Sequence, residues 1–318
     1  MSRRCTAGFS LIELVLALGL FAMLASFVFT TMDSVLRLWA DGERRGQGEL
    51  GFAALAERFR KDLEALHTGH RGWLELEQVE VLPADGDRPP VFLPRLRFLA
   101  DGAGLPMDDP EGLSGVEILW GFEVEDAREG LFRLVRLSRI ERLDAGETLR
   151  DDRTAADLMR LGEGMVLADG VAWCRLEALD TDGEWKDSLR IDPETPFDFP
   201  SRLRLEIERV EGNLRTRPPL LDRELPVQEM ELVLRGEEAL GAGGYLLVGR
   251  EWIRHDGGWP RPRILERGAR NTLPALHERR SPVWMPRVHR TEAFLRAGGR
   301  RIPRPGWRKG VFLQEENR

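Results

Sequence analysis

Nineteen consecutive residues, Leu14 to Met32, carry no charge and are built from Leu, Ala, Phe, Val, Met, Gly and small polar residues. A helix rises about 1.5 Å per residue and the hydrocarbon core of a bilayer is about 30 Å thick, so a run of this length roughly spans it. An apolar run this long reads as a membrane helix before it reads as a core helix. One residue departs from the pattern. Glu13 sits inside the apolar segment, four residues past Phe9. A carboxylate there costs roughly 2.5–3.5 kcal/mol even on insertion scales, so a cationic partner is expected. Arg3 and Arg4 lie on the far side of Gly8, so the partner should come from another molecule.

The order of features is a short basic leader, Gly8, then Phe9-Ser10-Leu11-Ile12-Glu13, then the apolar run. This resembles the type IV pilin-like N-terminus shared by pilins and the pseudopilins of type II secretion. The resemblance implies that a prepilin peptidase cuts after Gly8 and methylates the new terminus, Phe9. It also implies that Glu13 faces the terminal amine of a neighbouring subunit as an assembly contact. Two simpler readings compete. A signal peptide would use Ser2-Arg3-Arg4 and a cleavage site near Ala22 or Ala25, but its apolar region is usually 7–15 residues and uncharged. A plain signal anchor explains the length but neither Gly8-Phe9 nor Glu13. Arg3 and Arg4 place the N-terminus on the cytoplasmic side, because cytoplasmic flanks carry the Lys/Arg excess. The expectation is a single-pass protein of a bacterial inner membrane with its C-terminal domain in the periplasm.

Charge divides the chain. Residues 250–318 hold 17 basic and 7 acidic residues, whereas the rest holds 30 and 47. An acidic body with a basic tail suggests an interaction role for the tail. Of the two cysteines, Cys5 would leave with the leader, which excludes an internal disulfide; Cys174 reads as a buried structural thiol.

Beyond the membrane, Phe52, Leu55, Phe59, Leu63 and Leu66 form one apolar stripe at helical spacing, with Glu57, Arg58, Arg60, Lys61, Asp62 and Glu64 falling mostly off it. Gly42, Gly46, Gly48 and Gly51 weaken the helix by about 1 kcal/mol each and are expected to loosen or bend it. From Trp73 the period becomes two, as in a half-buried strand. Strand-like runs follow at 73–81, 94–99, 116–124, 131–143, 171–179, 202–210 and 227–234, separated by turns such as Glu129-Gly130 and Asp182-Gly183. Residues 149–161 read as a short helix or a loop. The fold class is therefore α+β, a long N-terminal helix packed on an antiparallel β-rich domain. The expected parts are a leader over 1–8, a transmembrane helix over 9–32, its amphipathic continuation over 33–72, a periplasmic β-rich domain over 73–240, and a Gly-rich link with a basic Arg/Pro/Trp-rich extension over 241–318.

Three stretches sharpen the resemblance towards the J-type minor pseudopilin: Leu55 to Leu63, Glu129 to Arg136, and Leu167 to Trp185 followed by Phe199-Pro200-Ser201-Arg202-Leu203. Phe199 and Leu203 replace the family's Leu and Val there. The resemblance implies partnership with the I-type and K-type minor subunits and the major pseudopilin at the tip of a secretion filament. A minor pilin of a type IV pilus, used for adhesion, motility or DNA uptake, shares the same N-terminus and stands as the alternative.

Little else carries chemistry. Asp180, Asp182 and Glu184 open like a calcium loop, but the twelfth position is Ile191 rather than the Glu an EF-hand needs, so they are weak calcium candidates in a hairpin turn. Asp108-Asp109-Pro110-Glu111 reads as a solvated loop. His67 and His70 lack further ligands and read as solvated helix-end residues. Gly241-Ala242-Gly243-Gly244 lacks the G-K-[ST] ending of a phosphate loop and reads as a flexible link. No G-x-S-x-G occurs, so neither enzyme nor cofactor is implied. Trp252, Trp259, Trp284 and Trp307 among basic residues could stack on nucleic acid, but seven prolines favour a disordered extension, and nucleic acid is not the expected partner.

Overall fold

The structure, a computed structural model, describes residues 11–68, 71–85, 89–101, 115–141, 148–150, 164–192, 199–210, 218–236, 242–258, 260–270 and 272–295. Helix α1 covers Leu11–Glu64 and continues through Gly42, Gly46, Gly48 and Gly51. The chain divides into two compact units, residues 1–50 and 51–318. In the first, Leu14–Leu36 is long and apolar enough to cross a membrane, four residues beyond the expected Met32. Its large side chains are exposed, Phe21 and Phe27 each at 72%. The hydroxyls of Thr30, Thr31 and Ser34 donate to the carbonyls four residues earlier, each at 2.8 Å, so these polar groups are satisfied within the helix.

The second unit begins with the last turns of α1 and a nine-stranded antiparallel sheet. Its strands are β1 (Leu74–Leu82), β2 (Val91–Ala100), β3 (Val116–Asp126), β4 (Leu131–Ile140), β5 (Met165–Leu179), β6 (Trp185–Lys186), β7 (Leu189–Ile191), β8 (Arg202–Arg209) and β15 (Arg287–Phe294). The order is β15-β8-β5-β4-β3-β2-β1-β7, with β6 paired to β5. Successive side chains of a strand point to opposite faces. One face therefore collects Leu74, Leu76, Leu96, Phe98, Ile118, Trp120, Phe132, Leu134, Leu176, Leu205 and Ile207 against Leu55, Phe59 and Leu63 of α1. The helical stripe and the period-two runs are the two halves of one core. On the other face, Leu149 packs with Leu119 and Leu137. The rest of the 149–161 segment lies outside the described residues.

The chain beyond residue 241 departs from expectation. Residues 242–295 supply five strands: β11 (Ala242–Val248), β12 (Glu251–Gly257), β13 (Ile264–Ala269), β14 (Val283–Trp284) and β15. The first four form a second sheet in the order β13-β12-β11-β14. Gly243, read as part of a flexible link, lies in β11, where an added Cβ would stand 2.7 Å from the His255 carbonyl oxygen. The glycine is there for close strand packing, not for flexibility. The expected strand over 227–234 is also different. Only Leu234 is in a strand, the two-residue β10 (Leu234–Arg235), which pairs β9 (Leu220–Leu221). Leu221, Leu225, Leu232, Leu246, Val248 and Ile253 make a second core under this sheet.

Candidate functional site

The N-terminal residues expected to act fall at the border of the described chain. Gly8 and Phe9 lie outside the described residues. Glu13 is the third described residue of α1, so its backbone is helical. The 23 residues of Leu14–Leu36 follow directly, with large apolar side chains exposed along them and Asp33 the one charged residue among them.

In the second unit, α1 is tied to the sheet by a buried charge pair. Asp62, only 4% exposed, accepts from Arg136 Nε at 2.5 Å and Nη2 at 3.0 Å, and from Trp120 Nε1 at 3.0 Å. Arg58 Nε approaches it at 3.2 Å. Asp62 was expected among the charged residues that fall mostly off the apolar stripe. It lies seven residues past Leu55 and three past Phe59, and that spacing puts it on the buried stripe.

Residues 3–29 match the prokaryotic N-terminal methylation motif. This supports a type IV pilin-like protein, a pilus or pseudopilus subunit that is processed by prepilin peptidase and assembles with other pilin subunits. It points to a structural subunit rather than an enzyme. No curated protein and no solved structure matches the chain. The apolar helix is consistent with the single-pass membrane anchor of pilin-like proteins.

Of the remaining candidates, those among the described residues make local structural contacts. Asp180 Oδ1 accepts from Thr181 Oγ1 at 2.8 Å and from the Asp182 amide at 3.2 Å, while Lys186 Nζ bonds Oδ2. Hydrogen bonds from Lys186, Thr181 and Asp182 hold the Asp180 carboxyl down to about 2. A carboxylate already carrying a lysine ammonium is a poor calcium ligand, and among the described residues no cluster of three His, Cys, Asp or Glu residues could hold a metal. Asp180, Asp182 and Glu184 lie in and beside the turn between β5 and β6, with Gly183 at φ +80°. His67 Nδ1 lies 2.5 Å from Asp101 Oδ1. His70 and Asp108 to Glu111 lie outside the described residues.

Two polar clusters that spacing alone did not reveal hold the second sheet together and join it to the first. The Arg270 guanidinium lies over three rings, 4.4 Å from Trp173, 4.2 Å from Tyr245 and 4.4 Å from Trp252, and forks onto Glu208 of β8. Such stacking suits the planar guanidinium and contributes on the order of 1–2 kcal/mol per desolvated contact. The cage opens on a cleft of about 450 Å³, whose lining includes Phe92, Arg175, Asp187 and Cys174. Burial, with Glu206 nearby, pushes the Cys174 thiol well up, so it stays protonated. Trp252, one of the four tryptophans weighed for stacking on nucleic acid, is committed to this internal cage.

The second cluster centres on Glu251, 1% exposed. It accepts from Arg267 Nε at 2.6 Å and Nη2 at 2.8 Å, from His277 Nε2 at 2.7 Å and from the Ala275 amide at 2.9 Å. Arg267 Nη1 also donates to the Pro226 carbonyl at 2.7 Å and Nη2 to that of Ala275 at 2.7 Å, so one guanidinium binds two loops to the sheet. Burial alone would raise the Glu251 carboxyl, but hydrogen bonds from Arg267, His277 and Ala275 outweigh it and hold it near about 2, against an ordinary 4.5. A depressed carboxyl stabilises the fold above its unfolded value and loses that contribution as pH falls towards its folded value. Glu251→Gln is therefore expected to lower stability at pH 6 by on the order of 3 kcal/mol and by progressively less between pH 4.5 and 2. Urea midpoints of both proteins across that window measure it, and parallel acid limbs would contradict the assignment.

Proposed function

We propose that this chain is a minor pseudopilin of a type II secretion system. After cleavage at Gly8 and methylation of Phe9, it assembles with I-type and K-type minor subunits and the major pseudopilin at the filament tip. Its role there is to help start the filament that exports folded proteins. The observation that carries the reading is the methylation motif over residues 3–29 running into the apolar Leu14–Leu36. The β-rich domain beyond α1 fits the periplasmic part of such a subunit. The inner membrane and an N-terminus facing the cytoplasm follow from Arg3 and Arg4.

The mechanism is assembly. Apolar N-terminal helices pack side by side in a lipid-like filament core. There Glu13 is neutralised by the amine of a neighbour's Phe9. An unpaired carboxylate in that setting is costly, so correct axial register between subunits is the arrangement that satisfies it. The test is Glu13→Leu. Membrane insertion and leader removal are expected to remain at wild-type levels, because neither needs the pair. Recovery of the protein in sheared filaments, and secretion by the host, are expected to fall at least tenfold. Wild-type secretion by the variant would sink the proposal. A minor pilin would show the same N-terminal behaviour, but its loss would impair pili rather than secretion.

A further inference from the structure

Strand β5 is incompletely paired on one side. β4 covers it as far as Val171, opposite Phe132, and β6 resumes at Ala178, opposite Lys186. Between them, among the described residues, no strand pairs with residues 172–177 on that side, although β8 covers the other. The Asp180 amide donates to the Glu184 carbonyl at 2.9 Å on the β6 side. Backbone groups alternate along an antiparallel strand, so Ala178, Leu176 and Cys174 turn their amides and carbonyls the same way, towards the gap. Cys174 and Leu176 are only 6% and 3% exposed. Buried amides and carbonyls need partners, so the gap calls for a strand from elsewhere. A cleft of about 450 Å³ lies beside it. β2 pairs β3 only from Leu96 onward, and its first residues, 91–93, form one wall of that cleft, with Trp173 and Trp252 on another.

The two ends of the gap differ in charge. At the Val171 end, Arg250 packs beside Gly130 and donates to the Ala127 carbonyl at 2.8 Å, and Arg270 lies over Trp173. At the Ala178 end stand Asp187 and the carboxylates of the 180–184 turn. A strand antiparallel to β5 enters at the acidic end and leaves at the basic end. It should therefore carry a base first, then apolar residues, then acid. The chain itself supplies such a segment. Residues 296–310 hold six basic residues, no acidic one, four glycines and two prolines, a composition unsuited to a strand. Lys309 and Gly310 then lead into Val311-Phe312-Leu313-Gln314-Glu315-Glu316. Leu295 donates to Ser201 and Ser201 to Leu179, each at 3.1 Å, so Leu295 lies two strand spacings, roughly 10 Å, from the end of β5. Lys309 is 14 residues further on, a reach of up to about 46 Å.

We propose that residues 311–316 of the same chain fill this gap as a further strand, antiparallel to β5, with Val311 opposite Leu176 and Leu313 opposite Cys174. In this register the amides and carbonyls of Val311 and Leu313 meet those of Leu176 and Cys174. Opposite residues share a face, so both aliphatic side chains join the buried side, and Phe312 stands opposite Arg175 on the face of Trp173. Lys309 falls at the Asp187 end and Glu315 opposite Ala172, at the end that holds Arg250. A shift by one residue turns Val311 and Leu313 away from the core. A parallel strand would set Lys309 against the arginines. Charge, side-chain alternation and reach select one arrangement, and none of them depends on the N-terminal reading.

The test uses the full chain in detergent, with Cys5→Ser and Cys174→Ala so that no native thiol remains. In the proposed register Arg175 and Phe312 form a non-hydrogen-bonded pair with Cα atoms about 4.5 Å apart, within disulfide reach. Leu313 points to the opposite face. On mild oxidation, Arg175→Cys with Phe312→Cys should close a disulfide within one chain, located by peptide mass. Arg175→Cys with Leu313→Cys should give at least tenfold less. Both variants share the same body, so a folding defect would affect them alike. Adding Leu313→Asp to the first pair should cut its yield at least tenfold, whereas Gln314→Asp, on the face of Phe312, should leave it unchanged. Equal yields at 312 and 313 would indicate random collision of the tail with β5 and would overturn the proposal. So would indifference to Leu313→Asp, or a disulfide joining two chains, which would place the segment on another copy.

Discussion

Gly8→Val is expected to leave the eight-residue leader on essentially every molecule, seen as retained residues 1–8 in the intact mass. The reasoning starts from backbone access. A peptidase must press the scissile carbonyl against its catalytic groups, and a residue without Cβ lets the main chain come closest. A branched side chain at that position holds the chain away. The effect then propagates. Without cleavage, Phe9 remains an amide-linked residue and provides no terminal amine. Arg3 and Arg4 stay attached at the membrane surface. Glu13 loses its proposed partner although it is unchanged, so Gly8→Val should match the assembly defect of Glu13→Leu while differing in mass. Complete processing of Gly8→Val would remove the basis for reading residues 1–8 as a leader. The experiment needs no information about the β-rich body and separates the N-terminal reading from everything downstream.

The second large effect is structural. Asp62→Ala should destabilise the body by roughly 3–5 kcal/mol, the usual result of removing one partner from a buried ion pair. The cost arises from what remains. Arg136, buried on the helix-facing side of β4, would keep its charge without a carboxylate, and Trp120 Nε1 would lose its acceptor. For a domain of this size the melting temperature should fall on the order of 10 °C. Asp62→Leu combined with Arg136→Met should recover most of the loss, because two apolar residues of similar volume leave no stranded charge. Thermal melts of both variants decide the matter. Equal destabilisation by the single and double variants would mean that Asp62 acts through packing rather than charge.

The parts of the fold legible beforehand are those where burial on one face writes a period into the sequence. Leu74–Leu82, Val116–Asp126, Leu131–Ile140 and Arg202–Arg209 all lie within three residues of the runs expected from alternation. Phe52 to Leu66 is similarly plain. Strand β15 was not legible. Its inward positions are His289, Thr291 and Ala293, and its larger apolar residues, Val288 and Phe294, face solvent. What makes it a strand is β8, more than seventy residues away. Ala242–Val248 was disguised by its glycines, of which Gly243 serves tight packing against His255. Asp62 was visible in spacing but hidden by its charge, since a carboxylate on a buried stripe becomes intelligible only with Arg136 in view. Arg270 and Glu251 are positions where pairing across loops, rather than any local pattern, explains the residue. Gly8, Phe9 and Glu13 are the reverse case: their reading rests on the order of residues and the motif match.

The Cα atoms of Arg209 and Arg287 are cross-strand partners. The chain therefore leaves the large sheet at the end of β8, builds the whole second sheet, and returns to the position a tight hairpin would have reached at once. Residues 210–286 are topologically an insertion between two neighbouring strands. The large sheet cannot add its last strand until that excursion has been synthesised and its ends brought together. The entropic penalty for this grows only logarithmically with the length enclosed. An insertion anchored at adjacent points can change in size and surface while the parent sheet keeps its register. The second sheet is where such a protein can diversify without disturbing the helix-bearing core.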